Sequence, residues 1–78
     1  MGRTAARGQA RSVQVVVNGQ PETLAPGSTI ASLLAGMDLS DRRCAVEVNE
    51  QLIRRERHAR HELHAGDRIE VVTLVGGG

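Results

Sequence analysis

Apolar and polar residues alternate from residue 13 onward, and this pattern predicts a β-strand with one apolar face. The apolar positions of that strand are Val13, Val15 and Val17. Asn18-Gly19 follows, a strong hairpin signal because a type I′ turn needs positive φ at both central residues. Residues 20–24 are then the returning strand. Its Pro21 is compatible with a strand at the sheet edge, or with a position whose backbone nitrogen faces solvent, since proline has no N–H for a second neighbour.

The apolar spacing becomes helical after the Pro26-Gly27 breaker. Four apolar residues recur at i, i+3, i+4 and i+7, namely Ile30, Leu33, Leu34 and Met37. Ser28 or Thr29 offers a hydroxyl N-cap, and Gly36 together with residues 38–43 ends the helix. A helix of about two to three turns is too short to be stable alone, so we expect it to pack against a sheet.

Strand-like alternation returns after the helix. A third strand carries Cys44, Val46 and Val48 on its apolar face. Leu52-Ile53 is a brief edge strand, and the charged segment that follows holds at most a short helical turn around residues 58–63. The last strand spans residues 68–75. Its predicted core-facing positions are Ile69, Val71, Thr73 and Val75.

The order β-β-α-β-(β)-β, with one helix across a mixed four- to five-stranded sheet, predicts an α+β fold of the ubiquitin-like β-grasp type. In that arrangement the first and last strands pair in parallel at the sheet centre, and both are rich in valine here. The predicted organisation is a disordered basic arm over residues 1–12, a β-grasp domain over 13–75 and a flexible glycine tail over 76–78.

Composition limits the partners. The 78 residues suffice for one small domain, and its core must be aliphatic because Phe, Tyr and Trp are absent. The net charge of +1 includes three arginines in the first 11 residues; without them, seven arginines face nine acidic residues. A mildly acidic body without aromatic stacking platforms disfavours nucleic acid. No apolar stretch approaches the ~20 residues that span a bilayer, so no membrane partner is expected. The lone Cys44 suits a reducing cytoplasm.

Three glycines, Gly76, Gly77 and Gly78, follow directly from the apolar run of the last strand. Glycine has no Cβ and few limits on φ, so such a segment fits a narrow active-site channel. Every basic residue is arginine, and no lysine offers a competing amine. The α-carboxylate of Gly78 is therefore the predicted reacting group.

Four segments of the chain carry a resemblance to a known family. They are residues 17–21 (VNGQP), residues 26–30 (PGSTI) with Leu33-Leu34, residues 45–50 (AVEVNE), and residues 66–72 (GDRIEVV) with the three glycines. In this order and spacing, the chain from Val15 onward resembles the bacterial sulfur carriers of the ThiS type, which act in thiamin biosynthesis. The first dozen residues lie outside the family pattern, and Arg54 stands where a proline is frequent.

The resemblance implies a mechanism. A ThiF-type adenylyltransferase would use Mg-ATP to adenylate the Gly78 carboxylate, and sulfur from a cysteine persulfide would convert it to a thiocarboxylate. A ThiG-type thiazole synthase would receive that sulfur. The chain itself would bind no cofactor and would be a protein cosubstrate rather than an enzyme. Its partners are expected to dock on Val72 and Leu74, which alternation turns away from the helix.

Three further features of the sequence are interpreted as structural. Cys44 lies two positions before Val46 and therefore on the same apolar face of the predicted strand. It is interpreted as a small buried residue rather than a reactive thiol. The histidines at positions 58, 61 and 64 are interpreted as a solvated loop, because no cysteine or carboxylate completes a convincing metal site. A charged strip is expected to be solvated, with a role in partner recognition left open; it comprises Arg54, Arg55, Arg57 and Arg60.

Two alternative functions stay open. The first is a β-grasp carrier for another pathway, molybdopterin or cysteine biosynthesis. The second is a regulatory or nucleic-acid-binding β-grasp module, which the acidic body and the missing aromatic residues disfavour.

Overall fold

One helix packs on a mixed sheet in the computed structural model, which describes residues 12–74. The strands are β1 (Val13–Val17), β2 (Gln20–Leu24), β3 (Cys44–Val48), β4 (Gln51–Ile53) and β5 (Arg68–Thr73), and the helix is α1 (Ile30–Gly36). Within this range the five strands lie in the order β2-β1-β5-β3-β4. The fold is the predicted β-grasp. The predicted glycine tail and all but Ser12 of the predicted arm lie outside the described residues.

The last strand is the central one. It pairs in parallel with β1, where Val17 lies beside Ile69, and antiparallel with β3 from Cys44↔Thr73 to Val48↔Ile69. The predicted parallel pairing of the first and last strands is confirmed. Because β5 has a hydrogen-bonded neighbour on each side, the strand that leads to the glycines has a fixed position and direction.

The first hairpin has the predicted geometry. Asn18 and Gly19 have φ of 50° and 81°, the left-handed values that a type I′ turn requires. Strand β2 lies at the sheet edge, one of the two positions compatible with Pro21. Pro21 lies opposite Val16 and has no second strand neighbour that would need its missing N–H.

Helix α1 begins with a reciprocal cap. The Thr29 hydroxyl accepts from the backbone N–H of Ser32 at 3.2 Å, and the Ser32 hydroxyl accepts from the N–H of Thr29 at 2.8 Å. The prediction that Met37 lies on the buried face was wrong. The helix ends at Gly36, so Met37 is its C-cap and is 36% exposed. Asp38 then takes a φ of 64°, and the N–H of Leu39 donates to the Leu34 carbonyl at 2.8 Å, which closes the end of the helix.

The core lies between α1 and the sheet and is aliphatic. Its buried members are Val15, Val17, Ile30, Leu33, Leu34, Val46, Val48, Leu63, Ile69 and Val71. Leu63 enters this core from the charged segment and is fully buried. Its backbone N–H donates to the carbonyl of Ser28 at 2.8 Å, which ties the segment to the chain just before α1.

The charged segment departs from prediction in two ways. Its helical turn is a 3₁₀ helix at Arg55–Arg57, earlier than the predicted residues 58–63. His58, predicted to be solvated, is buried with 7% of its surface exposed. Its Nε2 donates to the Ile53 carbonyl at 3.0 Å, and its own carbonyl accepts from the N–H of Ala31 in the first turn of α1. His58 is buried because it joins β4 to the start of the helix.

The last strand is shorter than predicted. It ends at Thr73, and Val75 lies outside the described residues. Ile69 and Val71 are buried as predicted, but Thr73 is exposed. Thr73 pairs with the half-buried Cys44 at the end of the sheet, beyond the last buried residue of β5. Within residues 12–74, no helix has both the length and the apolar character needed to cross a membrane.

Candidate functional site

The candidate site is the C-terminal end of β5, where two aliphatic side chains are exposed. Val72 has 56% and Leu74 has 50% of its surface accessible. Alternation along the strand places both on the side of the sheet opposite α1. Their exposure agrees with the prediction that both side chains point away from the helix. Their role in partner docking stays a prediction. An exposed aliphatic pair on the strand that leads to the glycines is a small apolar contact surface.

The side of the sheet that faces away from α1, here called the outer face, carries further apolar residues. Ala45 on β3 lies directly beside Val72, and Leu52 on β4 lies beside Glu47 of β3. Leu52 is 65% exposed. The apolar surface next to the end of β5 therefore continues across β3 to the edge of the sheet.

Leu74 is held in place by its backbone. Its N–H donates to the carbonyl of Arg43 at 2.8 Å, one residue before β3 begins. This bond extends the pairing of β5 with the β3 side by one step beyond the strand. The chain is therefore anchored up to the last described residue, four positions before Gly78.

Asn18 fixes β5 from the side of β1. Its Oδ1 accepts from the backbone N–H of Val71 at 2.8 Å, and its Nδ2 donates to the Val71 carbonyl at 3.3 Å. Strand β1 pairs with β5 only as far as Ile69. The Asn18 side chain therefore replaces the missing strand, and it satisfies both backbone groups of a buried residue.

Asn49 plays a similar part on the side of β3. Its Oδ1 accepts from the N–H of Arg68 at 3.0 Å, and its Nδ2 donates to Asp67 Oδ1 at 3.0 Å. Asn18 and Asn49 have φ of 50° and 53°, so each asparagine ends its strand in a left-handed conformation. We call these two residues the asparagine clamps, because together they hold β5 from both sides.

Sequence reasoning identified Asn18 as a turn residue but missed the clamps. The relevant signal is that each strand beside β5 ends in a valine that is followed directly by an asparagine, at Val17-Asn18 and Val48-Asn49. A pair of this kind is also explained by turn formation alone. The long-range bonds became visible only once the sheet order placed β5 between the two strands.

Of the remaining candidate groups, Cys44 lies beside Thr73 at this end of β5, whereas the charged strip follows β4 at the far edge of the sheet. Cys44 is half-buried against the core, and its Sγ lies 3.7 Å from the Arg42 carbonyl. Arg54 forms an ion pair with Glu56 at 3.8 Å, but both side chains are more than two-thirds exposed, so the pair adds little stability. The rest of the charged strip, at positions 55, 57 and 60, is also exposed. Residues 12–74 contain no group of three or more His, Cys, Asp or Glu able to hold a metal ion.

Comparison with known proteins decides the family. The model of the ThiS family matches residues 15–78, a range that runs from within β1 through β5 and includes the three glycines. The chain belongs to the ThiS family. The "Sulfur carrier protein ThiS" of Escherichia coli is 32% identical over 66 residues, which cover 85% of this chain and all of that protein.

Two further comparisons agree with this assignment. The crystal structure of a thiamine biosynthesis protein (ThiS) from Geobacter metallireducens superposes with a TM-score of 0.71 at 28% identity, and covers 85% of this chain and all of that one. The "Thiazole synthase" of Paramagnetospirillum magneticum is 29% identical over 66 residues. The chain spans a fifth of the length of that synthase. The resemblance of the sequence to ThiS proteins is thus confirmed for family and fold.

Proposed function

We propose that this ThiS-family chain is a sulfur carrier for thiazole formation in thiamin biosynthesis, and that the Gly78 carboxylate is the group that carries sulfur. The observation that carries the proposal is the family match, which spans residues 15–78. The E. coli relative that this chain covers in full is named a sulfur carrier protein, which supports the same function.

The chemistry follows from the poor reactivity of a carboxylate. In the proposed first step, a Gly78 carboxylate oxygen attacks the α-phosphate of Mg-ATP on a ThiF-type adenylyltransferase, and pyrophosphate leaves. The terminal sulfur of a cysteine persulfide then attacks the acyl-adenylate, the acyl–oxygen bond breaks and AMP leaves. A thiol supplies two electrons to cleave the resulting disulfide, which releases the thiocarboxylate. This chain provides the terminus, and the partner provides ATP and Mg²⁺.

The fold supports delivery of that terminus. Strand β5 is paired on both sides, the asparagine clamps fix its middle and its beginning, and the Arg43 carbonyl holds Leu74. The three glycines begin two residues after Leu74. We infer that a partner binds the outer face through Val72 and Leu74, while the narrow glycine segment enters its active site.

Thiamin biosynthesis is favoured over the other carrier pathways by a specific observation. Two relatives named "Thiazole synthase" align with 66 residues of this chain, at 29% and 33% identity. A ThiG-type thiazole synthase is therefore the proposed sulfur acceptor. We place the reaction in the cytoplasm, where the lone Cys44 would stay reduced.

We also infer that the chain acts as a cosubstrate and not as a catalyst. The exposed Val72 and Leu74 at the end of β5 neither transfer protons nor attack as nucleophiles, and the Cys44 thiol beside Thr73 is half-buried against the core. The acid, base and nucleophile of the proposed reaction would therefore come from the partners.

The adenylation step is tested by ATP–pyrophosphate exchange. A ThiF-type adenylyltransferase of the same organism is mixed with the full chain, with a variant lacking Gly77-Gly78, and with a matched variant lacking residues 1–11. We expect exchange with the full chain and with the N-terminal truncation, and none without the two glycines. Equal exchange with and without Gly77-Gly78 would contradict the proposal.

A further inference from the structure

Strand β5 loses one of its two neighbouring strands before it ends. The last backbone bond from the β1 side runs from the N–H of Asn18 to the carbonyl of Ile69, at 2.9 Å. On the opposite side, pairing with β3 continues to Thr73, and the Arg43 carbonyl accepts from the N–H of Leu74 one residue further. Within the described residues, the end of β5 that leads to the glycines therefore has a strand on one side only.

The side chain of Asn18 takes the place of the missing strand at the next position. Backbone groups of alternate residues in a strand point to the same side, so those of Val71 follow those of Ile69 toward β1. The Asn18 amide bonds both of them, with its Oδ1 2.8 Å from the Val71 nitrogen and its Nδ2 3.3 Å from the Val71 oxygen. Val71 is buried, so water is a poor substitute for this amide. Among the described residues, Asn18 is thus the last group that holds β5 from the β1 side.

Asn49 is bonded to β5 in a similar manner, but at the other end of the strand. Because β1 is parallel to β5 and β3 is antiparallel, Asn18 lies toward the end of β5 and Asn49 lies beside its beginning. Asn49 accepts from the N–H of Arg68 through its side chain and donates to the Arg68 carbonyl through its backbone, at 3.0 and 2.8 Å. Of the two asparagine clamps, Asn18 is therefore the one placed to control the end of the strand.

We propose that Asn18 is a positioning residue for the reaction at the C-terminus, because it keeps the end of β5 in strand form before the partner binds. This inference rests on the proposed function and adds the residue that prepares the terminus for delivery. A segment that is already ordered loses less conformational entropy on binding, so it binds more tightly. Without the Asn18 amide, residues 71–74 would be held from the β3 side alone and would open locally more often than the rest of the sheet.

The proposal predicts that loss of the Asn18 amide weakens binding of the chain and spares the chemical step. Local opening lowers the fraction of the chain whose strand end is ready to bind, and the apparent affinity falls by that fraction. Once the partner has bound the strand end, it is ordered again, so the rate at saturation is retained. Such a change raises KM for the chain and leaves kcat nearly constant. A loss of global stability has neither effect while the chain remains folded.

The test measures ATP–pyrophosphate exchange by the ThiF-type adenylyltransferase of the same organism against the concentration of the full chain. Asn18→Gly removes both side-chain bonds without backbone strain, and Asn18→Asp keeps an acceptor for the Val71 N–H but has no donor for its carbonyl. Asn49→Gly is the matched variant at the beginning of β5. His58→Ala is the stability control, because it removes a buried side chain whose hydrogen bond goes to Ile53 of β4. Circular dichroism verifies that each variant is folded at the assay temperature.

We expect Asn18→Gly to raise KM for the chain about tenfold, with kcat within about twofold of the wild type. Asn18→Asp should raise KM about threefold, because it restores one of the two bonds. Asn49→Gly and His58→Ala should change KM by less than about twofold, although His58→Ala destabilises the whole domain. Hydrogen exchange of the Leu74 amide gives a second readout. It should be about tenfold faster in Asn18→Gly and unchanged in Asn49→Gly and His58→Ala.

Equal KM for Asn18→Gly and the wild type, an equal rise in KM for either control variant, or unchanged exchange of the Leu74 amide would overturn the inference. A fall in kcat at constant KM would also overturn it, because the end of β5 would then not limit binding. The wild-type chain tests the proposed function separately. If it supports no exchange, the proposed function fails and the inference fails with it. If it reacts and Asn18→Gly reacts equally well, the inference alone fails.

Discussion

The clamp formed by Asn18 offers a prediction whose size follows from the structure. Asn18→Gly removes both hydrogen bonds to Val71 and keeps the left-handed backbone free of strain, since glycine adopts a φ of 50° without cost. The backbone N–H of Val71 then loses its hydrogen-bond partner. Val71 is buried, with 8% of its surface exposed, so water does not readily replace that partner. An unsatisfied buried donor costs about 1–3 kcal/mol, and the longer second bond adds less, so we expect a loss of about 2 kcal/mol.

Asn49→Gly is the matched control. Asn49 has nearly the same φ, 53°, and its amide also bonds the backbone of β5, but at exposed atoms where water can replace it. The entropy that glycine adds to the unfolded chain is the same in both variants and cancels in their difference. We therefore expect Asn49→Gly to cost about 1 kcal/mol less than Asn18→Gly. Asn18→Ala should be worse than Asn18→Gly by about 1 kcal/mol, because alanine is strained in the left-handed region.

The assay is urea unfolding with hydrogen exchange. With an m-value of about 1 kcal/mol/M for a small domain, a loss of 2 kcal/mol lowers the midpoint by about 2 M. The Val71 amide should also exchange faster in Asn18→Gly than in Asn49→Gly. Equal midpoints for the two glycine variants, or a Val71 amide that keeps its protection in Asn18→Gly, would refute the view that Asn18 replaces a missing strand.

Three further predictions concern the helix cap, the buried histidine and the docking residues. Thr29→Ala should lower the free energy of unfolding by about 1 kcal/mol through loss of the N-cap, measured by urea unfolding; no change would show that the cap adds no stability. His58→Ala should cost about 2–3 kcal/mol, because the Ile53 carbonyl loses its donor and a cavity forms; a midpoint equal to that of the wild type would contradict burial of the ring. Val72→Asp and Leu74→Asp should each unfold within about 1 kcal/mol of the wild type, yet block ATP–pyrophosphate exchange with the adenylyltransferase. Normal exchange in both variants would place the docking surface elsewhere.

Local patterns were sufficient to predict the order of the elements. The alternation in Val13–Val17, the Asn18-Gly19 turn and the apolar spacing from Ile30 to Leu34 each depend on neighbours in the chain, and each agrees with the structure. The central position of β5 follows from the β-grasp order and from its valine content. The edge position of β2 agrees with Pro21, whose missing N–H is a local property.

Predictions failed where the outcome depends on contacts distant in sequence. His58 is surrounded in the sequence by charged residues, and only its contacts with β4 and the start of α1 make it buried. Thr73 lies on the same side of β5 as the buried Ile69 and Val71, but Val71 is the last residue of the strand that is buried in the core. The bonds of Asn18 to Val71 join residues 53 positions apart, and no local pattern encodes them.

The central claim is that Gly78 carries sulfur, and intact-mass analysis with fragmentation tests it most directly. The full chain is incubated with Mg-ATP, the adenylyltransferase, a persulfide donor and a thiol, and the products are compared with a reaction lacking ATP. We predict an ATP-dependent mass increase equal to the exchange of one oxygen for sulfur, located by fragmentation at Gly78. An unchanged mass with an adenylyltransferase that is otherwise active, or sulfur located at Cys44 instead, would contradict it.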